Sequence, residues 1–480
     1  MAILAIDQGS SATKALVVDE DGRRLAQASR PVRTHHAAGG VVECDGDEIL
    51  QSVIDAGRHA LSQTSEPLTA IGIGNQGETV LAWDRKSGRP LCPAISWQDK
   101  RAQTTARQLS GQRDRLHQIT GLPLDPYFAA PKMRWLREQR RAVGVVTTID
   151  SWIIQRLSGE FVTDAATASR TLLLDLEAGE WSDEAFAIFG LSGEERPRIV
   201  ECAAEIGQTS LFGPSIPLAS AIVDQQASLF GLGCFQPGEL KCTYGTGAFA
   251  MVNVGSEPRR SSNNLPASIA WKFGGETTYC LDGPVYAVGA ALTWLRSLGL
   301  LSAAADLDAV AARAGKSDVI FIPALAGTGA PNWWPEPSGA WFGLSLATQK
   351  DDLVRAAIYG VAAEVTTLIR LIEKDLGRSI ATLRADGGLA ASDALLQTQS
   401  DLLQLPVERS ATVDTTAVGI AALCALGREP AAAIEWVRNV APPARLFEPR
   451  ISSDEAFDWL ARWQAAATAA VQISGGKLAH

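Results

Sequence analysis

Near the N-terminus, Ile3–Ile6 and Lys14–Val18 are apolar, strand-like runs joined by the polar turn Asp7-Gln-Gly-Ser-Ser-Ala12. The same succession of strand, Gly/Thr loop and strand returns at Lys241-Cys-Thr-Tyr-Gly-Thr-Gly-Ala-Phe-Ala-Met-Val-Asn-Val254. A polar, glycine-containing loop between two apolar strands is a hairpin, and its return far along the chain marks an internal repeat. Two such hairpins, one opening each half, point to two related units whose loops face one cleft.

The intervening sequence alternates strands and helices. Leu25–Val32 reads as a third strand, Asp47–Ser62 has helical spacing, Leu68–Gly74 is a strand ending in the loop Asn75-Gln-Gly-Glu-Thr79, and Val80–Trp83 resumes extended structure. In the second half, Asp352–Leu376 is the most regular helix. Leu353, Ala356, Ala357, Gly360, Leu368 and Leu371 form its small and apolar stripe, with Glu364 a charged interruption. Alternation of this kind indicates an α/β architecture. The Gly/Pro cluster Leu229-Phe-Gly-Leu-Gly-Cys-Phe-Gln-Pro-Gly238 sets the expected boundary, dividing the chain into residues 1–234 and 235–480.

Composition limits the function. With 43 basic and 53 acidic residues among 480, the net charge of −10 argues against a nucleic-acid surface or a polybasic membrane surface. No segment approaches the ~18–20 uninterrupted apolar residues of a membrane span, and the apolar start is too short for a signal sequence, so a cytoplasmic location is expected. The seven cysteines include no C-x-x-C pair and read as reduced core residues. The five histidines lie far from any glycine-rich loop or H-E-x-x-H spacing, which disfavours a zinc site or a Ser-His-Asp triad.

The loops carry the chemistry. In Asp7-Gln-Gly-Ser-Ser-Ala-Thr-Lys14, Gly9 admits a phosphate close to the backbone, Ser10 and Ser11 supply donors, Lys14 supplies charge, and Asp7 can hold Mg²⁺ directly or through water. Each of these residues also suits a plain turn; the second copy, Thr243-Tyr-Gly-Thr-Gly247, shifts the reading toward phosphate binding. Neither a Walker A motif nor G-x-G-x-x-G after the first strand is present. Asp386-Gly-Gly388 opens toward a helix at Asp393–Leu403 and suits a nucleotide lying on the backbone, or equally a tight βα turn capped by Ser392. Asp224, in Val223-Asp-Gln-Gln226, is either a helix cap or a carboxylate able to take the proton of an attacking hydroxyl. Asn75-Gln-Gly-Glu78, Ile95-Ser-Trp-Gln-Asp99 and Leu124-Asp-Pro-Tyr127 combine polar groups and aromatic faces suited to a small polyhydroxylated ligand.

Together these residues resemble the FGGY carbohydrate kinase family, most of all its glycerol kinase branch. The resemblance is carried over nearly the whole chain, by Asp7-Gln-Gly-Ser-Ser, Gly74-Asn-Gln-Gly-Glu-Thr, Trp97-Gln, Asp125-Pro-Tyr-Phe128, Asp150-Ser-Trp, Ala168-Ser-Arg-Thr171, Asp224-Gln-Gln, Cys242-Thr-Tyr-Gly-Thr-Gly-Ala-Phe249, Gly289 with Trp294-Leu-Arg296, Gly329-Ala-Pro331 and Asp386-Gly-Gly388. It implies two actin/hexokinase-like (ribonuclease H-like) α/β domains with a cleft between them, closing over ATP and a polyol or sugar. By the same resemblance Asp224 is the catalytic base and Asp7 the Mg²⁺ residue. Ser10, Ser11, Ala12, Lys14, Thr246, Gly247, Gly289, Thr293, Gly388 and Ser392 hold ATP, and Gly77, Glu78, Trp97, Tyr127, Asp224, Gln225 and Phe249 hold the acceptor.

Departures from the family pattern set the finer expectations. Lys14 replaces the usual arginine, Thr293 and Ser392 replace amide side chains, and Tyr359 stands where an acid or amide is usual. Glycerol kinases resemble Asn-Gln-Arg-Glu-Thr where this chain has Gly77, so an arginine that donates to glycerol hydroxyls is missing. Losing donors to a buried hydroxyl costs ~1–3 kcal/mol, and the vacated volume suits a longer polyol or a ketose whose far end reaches the space above Gly77. Two alternatives stand beside that expectation: a pentulose kinase of the xylulokinase type, and a true glycerol kinase in which Lys100, Arg101 or Lys132 fills the gap. The resemblance permits a homo-oligomer.

Overall fold

The computed structural model describes residues 1–475 apart from 316, 413, 427–429 and 441. The end of the expected second unit, residues 476–480, therefore lies outside the described residues.

Both repeat hairpins form. β1 (Ala2–Gln8) and β2 (Ala12–Asp19) pair antiparallel with Asp7 opposite Lys14, and β3 (Arg24–Pro31) continues the meander. α1 (Gly46–Leu61) follows, its first turn capped by Asp45, whose side chain accepts the Glu48 N–H at 3.0 Å. β4 (Leu68–Asn75) and β6 (Ile216–Val223) extend the sheet parallel to β1, and β5 (Ala203–Thr209) closes its edge, giving the order β5–β6–β4–β1–β2–β3. Period-two alternation splits β1 between two cores. Ala2, Leu4 and Ile6 pack with Ile49 and Val53 of α1, whereas Ile3 and Ala5 face the opposite layer. That is why the strand reads as an unbroken apolar run.

The second sheet repeats the plan. β7 (Leu240–Tyr244), β8 (Ala248–Gly255), β9 (Ala267–Phe273), β10 (Glu276–Val285), β11 (Leu383–Asp386), β12 (Val407–Ser410) and β13 (Pro443–Phe447) stand in the order β9–β10–β8–β7–β11–β12–β13. The runs β3–β2–β1–β4–β6 and β10–β8–β7–β11–β12 have identical order and directions: two antiparallel neighbours, then two parallel ones. The expected internal repeat is thus a repeat of topology, and the fold is the expected pair of α/β domains. β11 pairs in register with β7, Leu240 opposite Leu383 and Thr243 opposite Asp386.

The helices that matter for the site are α2 (Asp224–Gly231), α3 (Gly289–Ser297), α4 (Lys350–Leu376), α5 (Asp393–Leu403), α6 (Thr415–Leu426) and α7 (Ser453–Ile473). α6 is apolar on nearly every face, as a helix buried all round must be. Although it lies between β12 and β13 of the second sheet in sequence, it packs on the first sheet, where Ile420 and Ala421 join Ile3 and Ala5 in one core. Its contact with α2 is backbone to backbone: a Cβ on Gly419 would lie 1.9 Å from the Ala227 carbonyl oxygen, and one on Gly231 2.0 Å from that of Thr415. None of the seven cysteines is joined in a disulfide, and six of them are buried. Among the described residues no helix is long and apolar enough to cross a membrane.

Glu364, the charged interruption of α4, lines a cavity of about 280 Å³ between α4 and α7, beside Leu368 and Trp463. Burial pushes its carboxyl up to about 7. With a folded-state value above the unfolded one of about 4.3, the folded protein binds more protons between those two pH values. Stability therefore falls as pH rises through that window, and the loss is complete above about pH 7. Glu364→Gln removes the titration: thermal unfolding is expected to give a melting temperature raised by about 2 °C at pH 8 and unchanged at pH 4. A variant that gains nothing at pH 8 contradicts this account.

Candidate active site

The carboxyl ends of β1, β4, β6, β7 and β11 open onto one cavity of about 380 Å³ between the two sheets, the place where open α/β sheets bind ligands. Its lining includes Asp7, Ser10, Ser11, Ala12 and Lys14 from the first hairpin and Thr246, Gly247 and Phe249 from the second. Gly77, Glu78, Trp97, Tyr127, Asp224, Gln225 and Gly388 complete the set, so fifteen of the expected residues meet in one place. Gly289, Thr293 and Ser392 lie outside this lining. Gly289 donates its N–H to Gly245 O at 3.1 Å, fastening the start of α3 to the second loop. The Thr293 hydroxyl donates to Gly289 O at 3.0 Å. Ser392 caps α5 and donates to Asp308 Oδ1 at 2.5 Å, so its hydroxyl is engaged within the fold.

Glycine is needed where the loops touch. Gly387 has φ +90°, and a Cβ there would lie 2.5 Å from Tyr244 O, so the β11 loop can cross β7 only without a side chain.

Asp224 is the first residue of α2 and not its cap, which is Val223. Its Oδ1 accepts the Gln225 N–H at 2.7 Å. Burial and the neighbouring Asp7 push its carboxyl up to about 7, opposed by Lys241. Asp7 is pushed up to about 6 by burial, with Lys14 opposing and Asp414 reinforcing the shift. A carboxylate poised near neutrality suits proton acceptance.

Buried carboxylates crowded together are also what a divalent cation relieves. Asp386 supports this, since its buried Oδ1 has no hydrogen-bond partner while Oδ2 accepts from Ser228 at 3.0 Å. Among the described residues no three acidic, His or Cys side chains form a metal cage. One or two carboxylates completed by substrate phosphates is the usual arrangement for Mg²⁺, and the residues present fit it.

Several contributors escape sequence reasoning. Lys241, fully buried beneath the floor, donates to Gln225 Oε1 at 2.6 Å and Thr243 Oγ1 at 2.8 Å. Asp414 reaches across from the second half to Lys14 at 3.4 Å and Arg24 at 3.3 Å. Most consequential is Arg170, which lines the cavity, bonds Glu78, donates to Asp282 Oδ1 at 2.9 Å and reaches Tyr127 Oη at 3.4 Å. Side chains of all three charged partners are at most 4% exposed. Burial opposes the guanidinium charge, but Asp282 and Glu78 outweigh it and hold Arg170 well above its ordinary value. The motif Ala168-Ser-Arg-Thr171 carried the signal without a role for the arginine.

The three cations expected to fill the gap at Gly77 have other partners. Lys132 donates to the carbonyls of Pro126, Tyr127 and Phe128 at 2.8, 2.5 and 2.7 Å, holding the loop that presents Tyr127. Lys100 donates to Ala326 O at 2.6 Å and Pro335 O at 3.1 Å. Arg101 pairs with Asp99 at 2.7 Å and Glu43 at 2.8 Å. A Cβ at Gly77 would meet Val223 Cγ2 at 2.9 Å. Trp97 packs edge-on to Tyr127 and to Phe249, at centroid distances of 5.8 and 5.7 Å, so the acceptor end is walled by both domains.

Comparison with known proteins agrees with this geometry. The FGGY family of carbohydrate kinases matches through its N-terminal domain over residues 2–231 and its C-terminal domain over residues 240–427. Glycerol kinase of Aromatoleum aromaticum is 39% identical over 483 residues, covering 97% of each chain, and that of Rhizobium meliloti is 40% identical over 480 residues, covering 95% of each. Among solved structures, Plasmodium falciparum glycerol kinase with ADP superposes with a TM-score of 0.89 at 27% identity over 98% of both chains. The xylulose kinase from Lactobacillus acidophilus shares the fold, with a TM-score of 0.86 at 21% identity over 99% of this chain and 98% of its own.

Proposed function

Since this chain belongs to the FGGY family of carbohydrate kinases and is an ATP-dependent phosphotransferase acting on an alcohol group, we propose that its acceptor is a small polyol of the glycerol class, phosphorylated on a terminal hydroxyl. The observation that carries this reading is the single cavity in which Asp224 shares the lining with both phosphate-type loops and with Glu78, Trp97, Tyr127, Gln225 and Phe249. Phosphoryl transfer is mostly positioning and charge neutralisation, and this cavity supplies both.

In this reading Asp224 takes the proton of the attacking hydroxyl. The backbone and hydroxyls of Ser10, Ser11, Ala12, Thr246 and Gly247, with the Lys14 ammonium, hold the phosphates. Gly289, Thr293, Gly388 and Ser392 stand toward the nucleoside, Thr293 and Ser392 through backbone because their hydroxyls are engaged. Mg²⁺ would sit at Asp7, and its charge offsets that developing on the transferred group. Glu78 accepts acceptor hydroxyls while Trp97, Tyr127 and Phe249 cover the C–H faces. With glycine at position 77 and Lys100, Arg101 and Lys132 engaged elsewhere, Arg170 is the cation that lines the cavity beside Glu78 and Tyr127.

An ADP-release assay with ATP, Mg²⁺ and a panel of glycerol, erythritol, threitol, pentitols and pentuloses tests the proposal. Turnover with at least one polyol is expected, and the favoured acceptor should exceed glycerol in kcat/KM by about 10-fold or more, roughly 1.4 kcal/mol. Turnover confined to pentuloses would replace the polyol reading with that of a ketose kinase.

A further inference from the structure

Glu364 sits in the middle of α4 between the buried Ala363 and Val365, and it lines the cavity of about 280 Å³ between α4 and α7. Among the described residues its side chain has no hydrogen bond and no ion pair. No neighbouring charge acts on it either; burial alone shifts its ionisation. A carboxylate kept from water without a partner costs stability, and a glutamine of the same shape would avoid that cost. Positions that break the rules of packing in this way mark function rather than fold.

The walls define what its partner can be. Ile322, Leu368, Leu371, Ala467 and Val471 make them largely apolar. Trp463 adds its ring, its indole N–H being donated to Phe321 O at 3.1 Å. The loop at 262–264 contributes no charge, and Asp375, which binds that loop, is engaged by the Ser262 hydroxyl at 2.9 Å and by Asn263 Nδ2 at 2.7 Å. From α7 the one strongly polar side chain is the uncharged Gln464. Lys374 is the only other charged group of the described lining, exposed at the rim further along α4, about 15 Å from Glu364 by the rise of the helix. A divalent cation wants several oxygen ligands, and Glu364 is the single acidic residue of this lining. One acid set in apolar walls suits instead an ammonium carried on an apolar body, and Lys374 at the far end repels a second positive charge.

We propose that this cavity is a binding site for a small organic monoamine, whose ammonium pairs with the Glu364 carboxylate while its apolar body lies along Leu368 and Leu371. The site is separate from the one that holds Asp224, with which it shares no lining residue. Pairing displaces a proton: the carboxyl, held up at about 7, gives up its proton before it meets the ammonium. Amine affinity therefore rises with pH across neutrality, and occupancy stabilises the folded chain by mass action.

Calorimetric titration of the full chain with n-butylamine, n-butanol and butyrate at pH 8 tests the proposal. The amine is expected to bind about 10-fold or more tightly than the alcohol or the acid. Lowering the pH to 6 should weaken the amine about 10-fold, because the carboxyl is then mostly protonated, and leave the alcohol unchanged. At pH 7, titrations in two buffers of different ionisation heat should show about half a proton released per amine bound. In Glu364→Gln, which is expected to unfold at a higher temperature at pH 8, the amine should lose about 10-fold or more and the proton release should vanish. Glu364→Asp should keep the preference for amine over alcohol. An amine bound no more tightly than the alcohol, or not at all, overturns the proposal. So does an affinity that survives Glu364→Gln, or one that disappears in Asp224→Asn and so places the amine in the other cavity.

Discussion

Asp224→Asn is expected to retain ATP and acceptor binding while losing turnover by 10²- to 10⁴-fold, the range supplied by a positioned general base. The asparagine keeps an oxygen for the Gln225 N–H, so the start of α2 is preserved. It also removes a carboxylate whose ionisation is opposed by burial and by Asp7, so the melting temperature above pH 7 should not fall. Single-turnover kinetics with calorimetric binding of both substrates separates these effects. If turnover is unchanged, Asp224 is not the base; if binding and turnover disappear together with stability, its role is structural.

Arg170→Met should have the largest effect on the folded state. It leaves Glu78 and Asp282 buried without their common cation, and breaking a buried pair by removing one partner costs about 3–5 kcal/mol. A melting temperature lower by at least about 5 °C is expected, together with a raised acceptor KM, because Glu78 and Tyr127 both lose the group that orients them. The KM for ATP should move little. Arg170→Lys is expected to restore part of the stability and little of the acceptor affinity, since one ammonium cannot span three partners as a guanidinium fork does. Equal shifts in both KM values would assign Arg170 to the fold alone.

Legibility in the sequence followed distance along the chain. The two hairpins, the loop at Asn75–Thr79 and the helices at 46–61 and 350–376 are local patterns of alternation, helical spacing and turn residues, and they were readable within a dozen or two residues. Repetition of the hairpin was enough to read two units sharing a cleft, whereas Asp224 by itself read equally as a helix cap and took the role of base only from the resemblance. The ion group of Glu78, Arg170 and Asp282 was not readable, because its members come from three distant segments and each alone resembles a surface charge. Lys241 is the second residue of a strand whose other residues look like ordinary core, so nothing local marks it as a cation beneath the site. The packing of α6 on the first sheet was hidden for a different reason: an apolar helix announces burial and does not say against what.

That packing has a mechanical consequence. The polypeptide passes from the first domain to the second near residue 235 and then sends α6 back to clasp α2, with Gly231 and Gly419 bringing the two helices into backbone contact. The two sheets are therefore joined both by the chain near residue 235 and by α6, which lies between β12 and β13 of the second sheet in sequence yet packs on the first. Asp224 begins the very helix that α6 grips, so it lies at this junction, where a swing of the outer lobes displaces it least. On the function proposed above, an opening of the cleft would move the two loops and the acceptor walls while Asp224 stays in register with the sheet beneath it.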